Sequence, residues 1–91
     1  MVTAIALMNV EKNRVEDVAQ NLVDLKGVIE VHSVAGQYDL VSIIRTKTNE
    51  DIAHLVTTGI SKIKGVTRSE TLMAFKVYSD FELERMFSVG L

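Results

Sequence analysis

The sequence predicts an α+β fold in which one antiparallel sheet carries two helices on one of its faces. Three features support this prediction: two amphipathic stretches with helical spacing, four strand-like runs around them, and an internal echo. The echo relates "LKGVIEVHSV" at 25–34 to "IKGVTRSETL" at 63–72, an offset of 38 residues. Two related strand-helix-strand halves would produce such an echo.

Length and composition indicate one folded domain. A chain of 91 residues can only just build a core of its own, so we expect association. The net charge is −2 and the ten basic residues are scattered along the chain, which disfavours direct nucleic-acid binding. The absence of cysteine excludes disulfides and thiolate sites, and it fits a reducing compartment.

The N-terminal segment has neither a signal-peptide pattern nor a membrane span. No lysine or arginine precedes its longest apolar run, 4–8, and this run is far shorter than the ~20 residues that a bilayer span needs. We therefore expect a cytoplasmic protein without a membrane partner.

The first helix is predicted at 14–25. Asn13 is the expected N-cap, Glu16 stands at the third helical position, and Gly27 ends the helix. The apolar side chains that recur at helical spacing are Val15, Val18, Ala19, Leu22 and Leu25.

The second helix repeats this design, with Thr48 as the cap, Asp51 three residues later and Gly65 at the end. Gly59 inside it costs about 1 kcal/mol relative to alanine, and we expect it to mark a close approach by another backbone. Its predicted buried stripe consists of Ile52, Leu55, Val56, Ile60 and Ile63.

Strands are predicted at 2–9, 28–35, 38–46 and 66–78, which gives the ferredoxin-like order β-α-β-β-α-β. The third strand reads Leu-Val-Ser-Ile-Ile from residue 40, so apolar side chains point to both faces of the sheet. Helices on one side cover only one of these faces. We expect a second copy to cover the other, giving a dimer formed sheet to sheet, a dimeric α/β barrel.

The C-terminal part carries two further predictions. The fourth strand is too long for so small a sheet, so we expect both of its ends to reach into a neighbour. After it, "SDFELERMFSVGL" at 79–91 reads as a short amphipathic helix with the apolar residues Phe81, Leu83, Met86, Phe87 and Val89.

The segments "KGVIEVHSVAGQYDLVSIIRTKTNEDI" and "ISKIKGVTRSETLMAF" together resemble the effector-binding (RAM) domain of the Lrp/AsnC transcription regulators. The resemblance rests on Val-x-Gly-x-Tyr-Asp after the second strand, Gly-Val before the fourth, and alternating hydroxyls within the fourth. It covers nearly the whole chain, so residues 1–91 are expected to form one such domain. In the family this domain follows a helix-turn-helix; because residue 1 here already opens the first strand, the chain resembles the stand-alone members.

The resemblance implies a non-enzymatic module that binds a small effector, an amino acid or a similar molecule, and forms oligomers. It implies homodimers, rings of dimers such as octamers, and co-assembly with full-length regulators. No cofactor is implied.

The effector site implied by the resemblance lies where two dimers meet. Gly36 allows close backbone approach, Gln37 can hydrogen-bond a ligand, and Asp39 either pairs with an ammonium or caps the turn. Ser69 stands where threonine is frequent in the family. The implied site residues are Gly36, Gln37, Tyr38, Asp39, Ser69 and Thr71.

Two other functions share this fold. A cofactor-free monooxygenase or isomerase would need an acid–base pair, for which His32 with Tyr38 or Asp39 is the only candidate. An ACT-like regulatory domain shares the ligand class. No acid lies at metal-ligand spacing from His32 or His54, so no metal site is expected.

Overall fold

A computed structural model describes residues 1–79 of the chain. One sheet has the strand order β2-β3-β1-β4 with every neighbouring pair antiparallel, and this confirms the predicted ferredoxin-like fold. Its strands and helices, in chain order, are β1 (Val2–Val10), α1 (Val15–Val23), β2 (Val28–Ser33), β3 (Leu40–Thr46), α2 (Asn49–His54) and β4 (Val66–Met73).

The two faces of the sheet differ in their cover. On β1, Ala4, Ala6 and Met8 are fully buried beneath the helices, whereas the alternate residues are only partly buried. Val18 and Leu22 of α1 and Ile52 of α2 complete the core from above. The uncovered side, called the open face below, carries the apolar residues Ile5, Leu7, Val41, Ile43 and Leu72.

Strand β3 shows this difference most directly. Leu40 and Ile44 are fully buried on the helix side, as is Ser42 between them. Val41 and Ile43 alternate with them on the open face and remain partly exposed. The prediction that this strand is apolar on both faces is confirmed.

The start of α1 differs from the prediction. A single 3-10 turn over Lys12–Arg14 precedes the helix, closed by a hydrogen bond from Arg14 N to Glu11 O of 2.9 Å. Asn13 lies inside this turn, so it cannot cap α1, and Arg14 occupies the N-cap position without a side-chain bond. The helix ends at Val23 rather than at residue 25.

The start of α2 is as predicted, because Thr48 Oγ1 accepts a hydrogen bond of 3.1 Å from Asp51 N. After His54 the helix continues as a π-helical turn, Leu55–Gly59, and a 3-10 turn, Ile60–Lys62. The prediction that another backbone approaches Gly59 closely is wrong for the described residues. A Cβ there would meet the side chains of Leu25 and Leu55, each at 3.3 Å.

The internal echo corresponds to two turns with the same backbone conformation, at Gly27 and at Gly65. Gly27 and Gly65 have φ values of +104° and +107°, a region that glycine enters readily. The residue after each glycine begins a strand and donates a backbone hydrogen bond three residues back, from Val28 to Leu25 and from Val66 to Ile63. Both halves of the fold therefore leave the helix layer by the same turn.

Strand β4 is shorter than predicted and ends at Met73. The hydrogen bond of 2.9 Å from Ala74 N to Thr3 O continues the pairing by one residue, and the chain then leaves the sheet. The amphipathic helix predicted at 79–91 lies outside the described residues from residue 80 onward. Over residues 1–79, no helix combines the length and apolarity needed to cross a bilayer.

Candidate functional site

Residues 34–39, the β2–β3 turn, expose the glycine on which the sequence prediction depended. Gly36 has a φ of +146°, a backbone conformation that L-residues with a side chain rarely adopt. A Cβ at this position would meet no heavy atom within 4 Å. Gly36 and Gln37 are both exposed. The backbone at the tip of the turn is therefore open to a ligand or a neighbouring molecule.

Asp39 anchors this turn to β1. Its Oδ2 accepts a hydrogen bond of 2.9 Å from Val10 N, and its own backbone N donates to Met8 O at 2.9 Å. Val10 lies at the irregularity where the pairing of β1 with β4 shifts register, so the carboxylate binds an N–H that the sheet ladder leaves free. Within residues 1–79, Asp39 Oδ1 makes no hydrogen bond.

Gln37 is held by its backbone and not by its side chain. Its carbonyl oxygen accepts a hydrogen bond of 2.8 Å from Asn9 Nδ2. Its side-chain amide has no hydrogen-bond partner in the described part of the chain, so both the donor and the acceptor of this amide are available.

The phenol of Tyr38 reaches across the sheet to β4. It donates a hydrogen bond of 2.6 Å to Glu70 Oε1. This bond to the carboxylate raises the pKa of the Tyr38 phenol above its ordinary value, and the nearby Arg68 opposes the shift. The sequence analysis did not identify Glu70 as the partner of Tyr38. Glu70 stands between Ser69 and Thr71 on β4, and strand alternation places its side chain on the other face of the sheet.

Ser69 and Thr71 lie on the helix side of β4, because Ser69 pairs with Met8 and Thr71 with Ala6 across β1. The helices pack over the other three strands, so Ser69 is exposed and Thr71 is only partly buried. Glu70 between them pairs with Leu7 of the open face. Within one chain the β2–β3 turn therefore meets Glu70 and not the two hydroxyls.

His32 is engaged elsewhere. Its Nε2 lies 3.0 Å from Glu30 Oε1, and both side chains are more than half exposed. The acid–base pair of His32 with Tyr38 or Asp39 does not form in residues 1–79. The same residues contain no group of three or more His, Asp or Glu side chains placed to hold a metal ion.

Comparison with protein families identifies the domain. Residues 3–83 match the model of the Lrp/AsnC ligand-binding domain. The chain belongs to the Lrp/AsnC family. It is 30% identical over 79 residues to the transcriptional regulator FL11 of Pyrococcus furiosus, a match that covers 87% of this chain and 52% of the regulator. FL11 of Pyrococcus abyssi is 32% identical over 85% of this chain and 50% of the regulator, so the chain spans about half the length of these relatives.

Solved structures share this fold. TTHA0845 of Thermus thermophilus is 42% identical with a TM-score of 0.82, and the match covers 88% of this chain and 100% of that one. The hypothetical protein PHS023 of Pyrococcus horikoshii is 29% identical with a TM-score of 0.78, over 86% and 94% of the two chains. AsnC of Escherichia coli has the same fold at 15% identity, with a TM-score of 0.79 over 89% of this chain and 56% of AsnC.

Proposed function

We propose that this Lrp/AsnC domain binds an amino-acid-like effector between copies of itself and takes part in transcription regulation through partner proteins, without catalysis. The family model describes a ligand-binding domain, and the curated relatives are named as transcriptional regulators. The proposed partners are further copies of the chain and full-length regulators of the family.

The observation that carries this proposal is the separation of the candidate residues in one chain. The β2–β3 turn makes its contacts on the open-face side of the sheet, with Asn9 and Glu70, whereas Ser69 and Thr71 lie on the helix side of β4, where no helix covers them. Because the sheet lies between the two groups in one chain, we place a ligand that contacts both between the turn of one copy and the hydroxyls of another. The proposed effector site therefore lies between copies, where two dimers meet.

The chemistry of these residues suits a zwitterion. The free amide of Gln37 and the open backbone at Gly36 offer donors to a carboxylate, whereas Asp39 Oδ1 and the two hydroxyls offer acceptors to an ammonium. A regulator of Neisseria meningitidis with the same fold, 16% identical over 87% of this chain and 53% of its own with a TM-score of 0.78, was solved as a complex with L-Met. Its ligand supports the amino-acid class.

Association through the open face completes the proposal. Its apolar side chains are only partly buried in a single chain, and Leu72 among them is 46% exposed. A second copy supplies a matching surface by two-fold symmetry, and such dimers then join into rings such as octamers. The scattered basic residues support no DNA binding by the domain alone, which an electrophoretic shift with random duplex checks.

The proposal is tested by calorimetric titration of the full chain with each common L-amino acid, with light scattering on the same samples. We expect saturable binding of at least one amino acid. Thr71→Val should weaken it by about 0.5 to 1.5 kcal/mol, because one hydrogen bond is lost. Thr58→Val is the matched control, since it removes an exposed hydroxyl from the π-helical turn after α2, which carries none of the candidate site residues.

Two results would contradict the site. Folded, associated protein that gives no saturable heat with any amino acid would remove the proposed ligand class. Binding that Thr71→Val leaves unchanged, or that Thr58→Val weakens as much, would remove the Thr71 hydroxyl from the site.

The enzyme alternative receives no support from the geometry. His32 contacts Glu30 and not Tyr38 or Asp39, so the acid–base pair that it would use is not assembled in the described part of the chain. The regulators among the relatives also favour a non-enzymatic role.

A further inference from the structure

The rim of the open face carries an ion pair, formed by His32 and Glu30 on β2. In the register of β2 with β3, His32 pairs with Val41 and Glu30 with Ile43, and directly opposed residues share one face of the sheet. Both side chains therefore lie on the open-face side. His32 Nε2 is 3.0 Å from Glu30 Oε1, and this is the only ion pair found among residues 1–79.

In a single chain this pair stands mostly in water. Strand β2 is an edge strand, and the side chains of His32 and Glu30 are 53% and 57% exposed. Solvent screens the attraction between two groups of such exposure, so the pair contributes little to the stability of one chain. A second copy that covers Val41 and Ile43 also excludes water from the pair beside them, and the attraction then becomes stronger.

The segments around β2 carry further charged side chains, but none of them forms an ion pair with His32 or Glu30 within the described part of the chain. The sheet separates the pair from the carboxylates of α1, because α1 packs on the helix side. Glu30 is therefore the charged group that His32 contacts. The other charged residues of these segments are Glu16 and Asp17 of α1, Asp24 and Lys26 of the turn before β2, Asp39 of the β2–β3 turn and Arg45 of β3.

We propose that the His32–Glu30 pair makes association through the open face depend on pH, with dimers favoured on the acid side of neutrality. This inference rests on the proposed association of the open face and adds a regulation to it. Protonated His32 and ionised Glu30 form a neutral pair that tolerates the loss of water, whereas neutral His32 leaves the carboxylate without a counter-charge. Covering the pair therefore takes up a proton, and association weakens as the pH rises through the range in which histidine loses its charge.

Dissociation constants of the full chain test this coupling, measured by light scattering over a dilution series at about pH 5.5 and about pH 8, on either side of the range in which histidine titrates. Both buffers have the same ionic strength, because salt screens exposed charges. We expect the wild-type dimer to dissociate at a concentration about tenfold higher at the alkaline pH, about threefold for each of its two pairs. A fixed, low concentration of urea brings a tight dimer into the measured range.

Three variants assign the pH dependence to the pair. His32→Gln should abolish it, because the titrating group is gone. Glu30→Gln should reverse it, because a protonated histidine without its carboxylate is unfavourable to cover, so that dimers weaken on acidification. His54→Gln is the matched control, since it removes the second of the two histidines, at the end of α2, and should keep the wild-type pH dependence.

The proposal is overturned if wild-type dimers dissociate alike at both pH values, if His32→Gln or Glu30→Gln keeps the wild-type pH dependence, or if His54→Gln loses it. A dimer that binds amino acids but does not respond to pH would leave the proposed function standing and remove only this regulation. A chain that stays monomeric at both pH values would remove the regulation together with the association on which it rests.

Discussion

The two faces of the sheet have similar apolar patterns but different cover. On β3, Leu40 and Ile44 are fully buried beneath the helices, while Val41 and Ile43, equally apolar, remain partly exposed on the open face. Strand alternation places neighbouring residues on opposite sides of the sheet. Strand β3 therefore has one apolar face that the helices cover and one that no other part of residues 1–79 covers. The difference supports the proposed association of the open face with a second copy.

The largest expected effect comes from placing the same charge at two neighbouring residues of β3 that lie on opposite faces of the sheet. Ile44→Asp places an unpaired charge in the helix-covered core and should lower the free energy of unfolding by about 4 kcal/mol or more, which leaves a chain of this size unfolded. Ile43→Asp should keep the fold and abolish dimers. Circular dichroism measures the folding of both variants, and light scattering measures their association. A folded Ile44→Asp variant or a dimeric Ile43→Asp variant would contradict the roles assigned to the two faces.

The next effect concerns the anchor of the β2–β3 turn. Asp39→Ala leaves the partly buried Val10 N–H without its acceptor, so we expect a loss of about 1 to 3 kcal/mol in urea denaturation. Asp39→Asn keeps an acceptor oxygen and should recover most of this stability.

The same pair of variants resolves the second role of Asp39. If its carboxylate also holds the effector ammonium, Asp39→Asn should bind more weakly by about 1.5 to 3 kcal/mol while remaining stable. Normal affinity in the stable Asp39→Asn variant would limit this residue to anchoring the turn.

A smaller effect concerns a buried hydroxyl on the helix-covered face of the sheet. Ser42 is fully buried and its Oγ has no hydrogen-bond partner among residues 1–79. Removing this hydroxyl in Ser42→Ala should raise the free energy of unfolding by about 1 kcal/mol, because an unsatisfied polar group is lost from the core. The same denaturation experiment checks this sign, and a marked loss of stability would show that the hydroxyl has a partner.

The smallest effect lies at the margin of the open face and needs a spectroscopic measurement. Glu70→Gln should lower the raised pKa of Tyr38 toward its ordinary value of 10.0, because the carboxylate that accepts the phenol proton is gone. A raised pKa stabilises the fold below about pH 10, and this contribution is lost as the phenol ionises. Ultraviolet titration with Tyr78→Phe as the background isolates Tyr38, and an unchanged midpoint would contradict the bond.

Local patterns predicted much of the fold because their causes are local. Helical spacing found both helices, Thr48 capped the second one as expected, and the repeated Lys-Gly-Val identified two equal turns. Asn13 failed as a cap because the preceding 3-10 turn depends on backbone geometry that no side-chain pattern encodes. The fourth strand was predicted too long because apolar residues continue past the last paired residue, Met73.

The site could be predicted only in part, because its contacts join residues far apart in sequence. The resemblance pointed to the β2–β3 turn, where Gly36 has a positive φ, and the ligand role of this turn stays a prediction. The bonds from Tyr38 to Glu70 and from Val10 to Asp39 span about thirty residues and depend on strand register, so composition and spacing contained no trace of them.

The central claim, that the open face belongs to an interface between copies, is tested most directly by light scattering of the wild-type chain at micromolar concentration. The account predicts a mass of at least twice the 10.1 kDa of one chain, with no folded monomer. A well-folded monomer under these conditions, with the open face exposed to water, would contradict it.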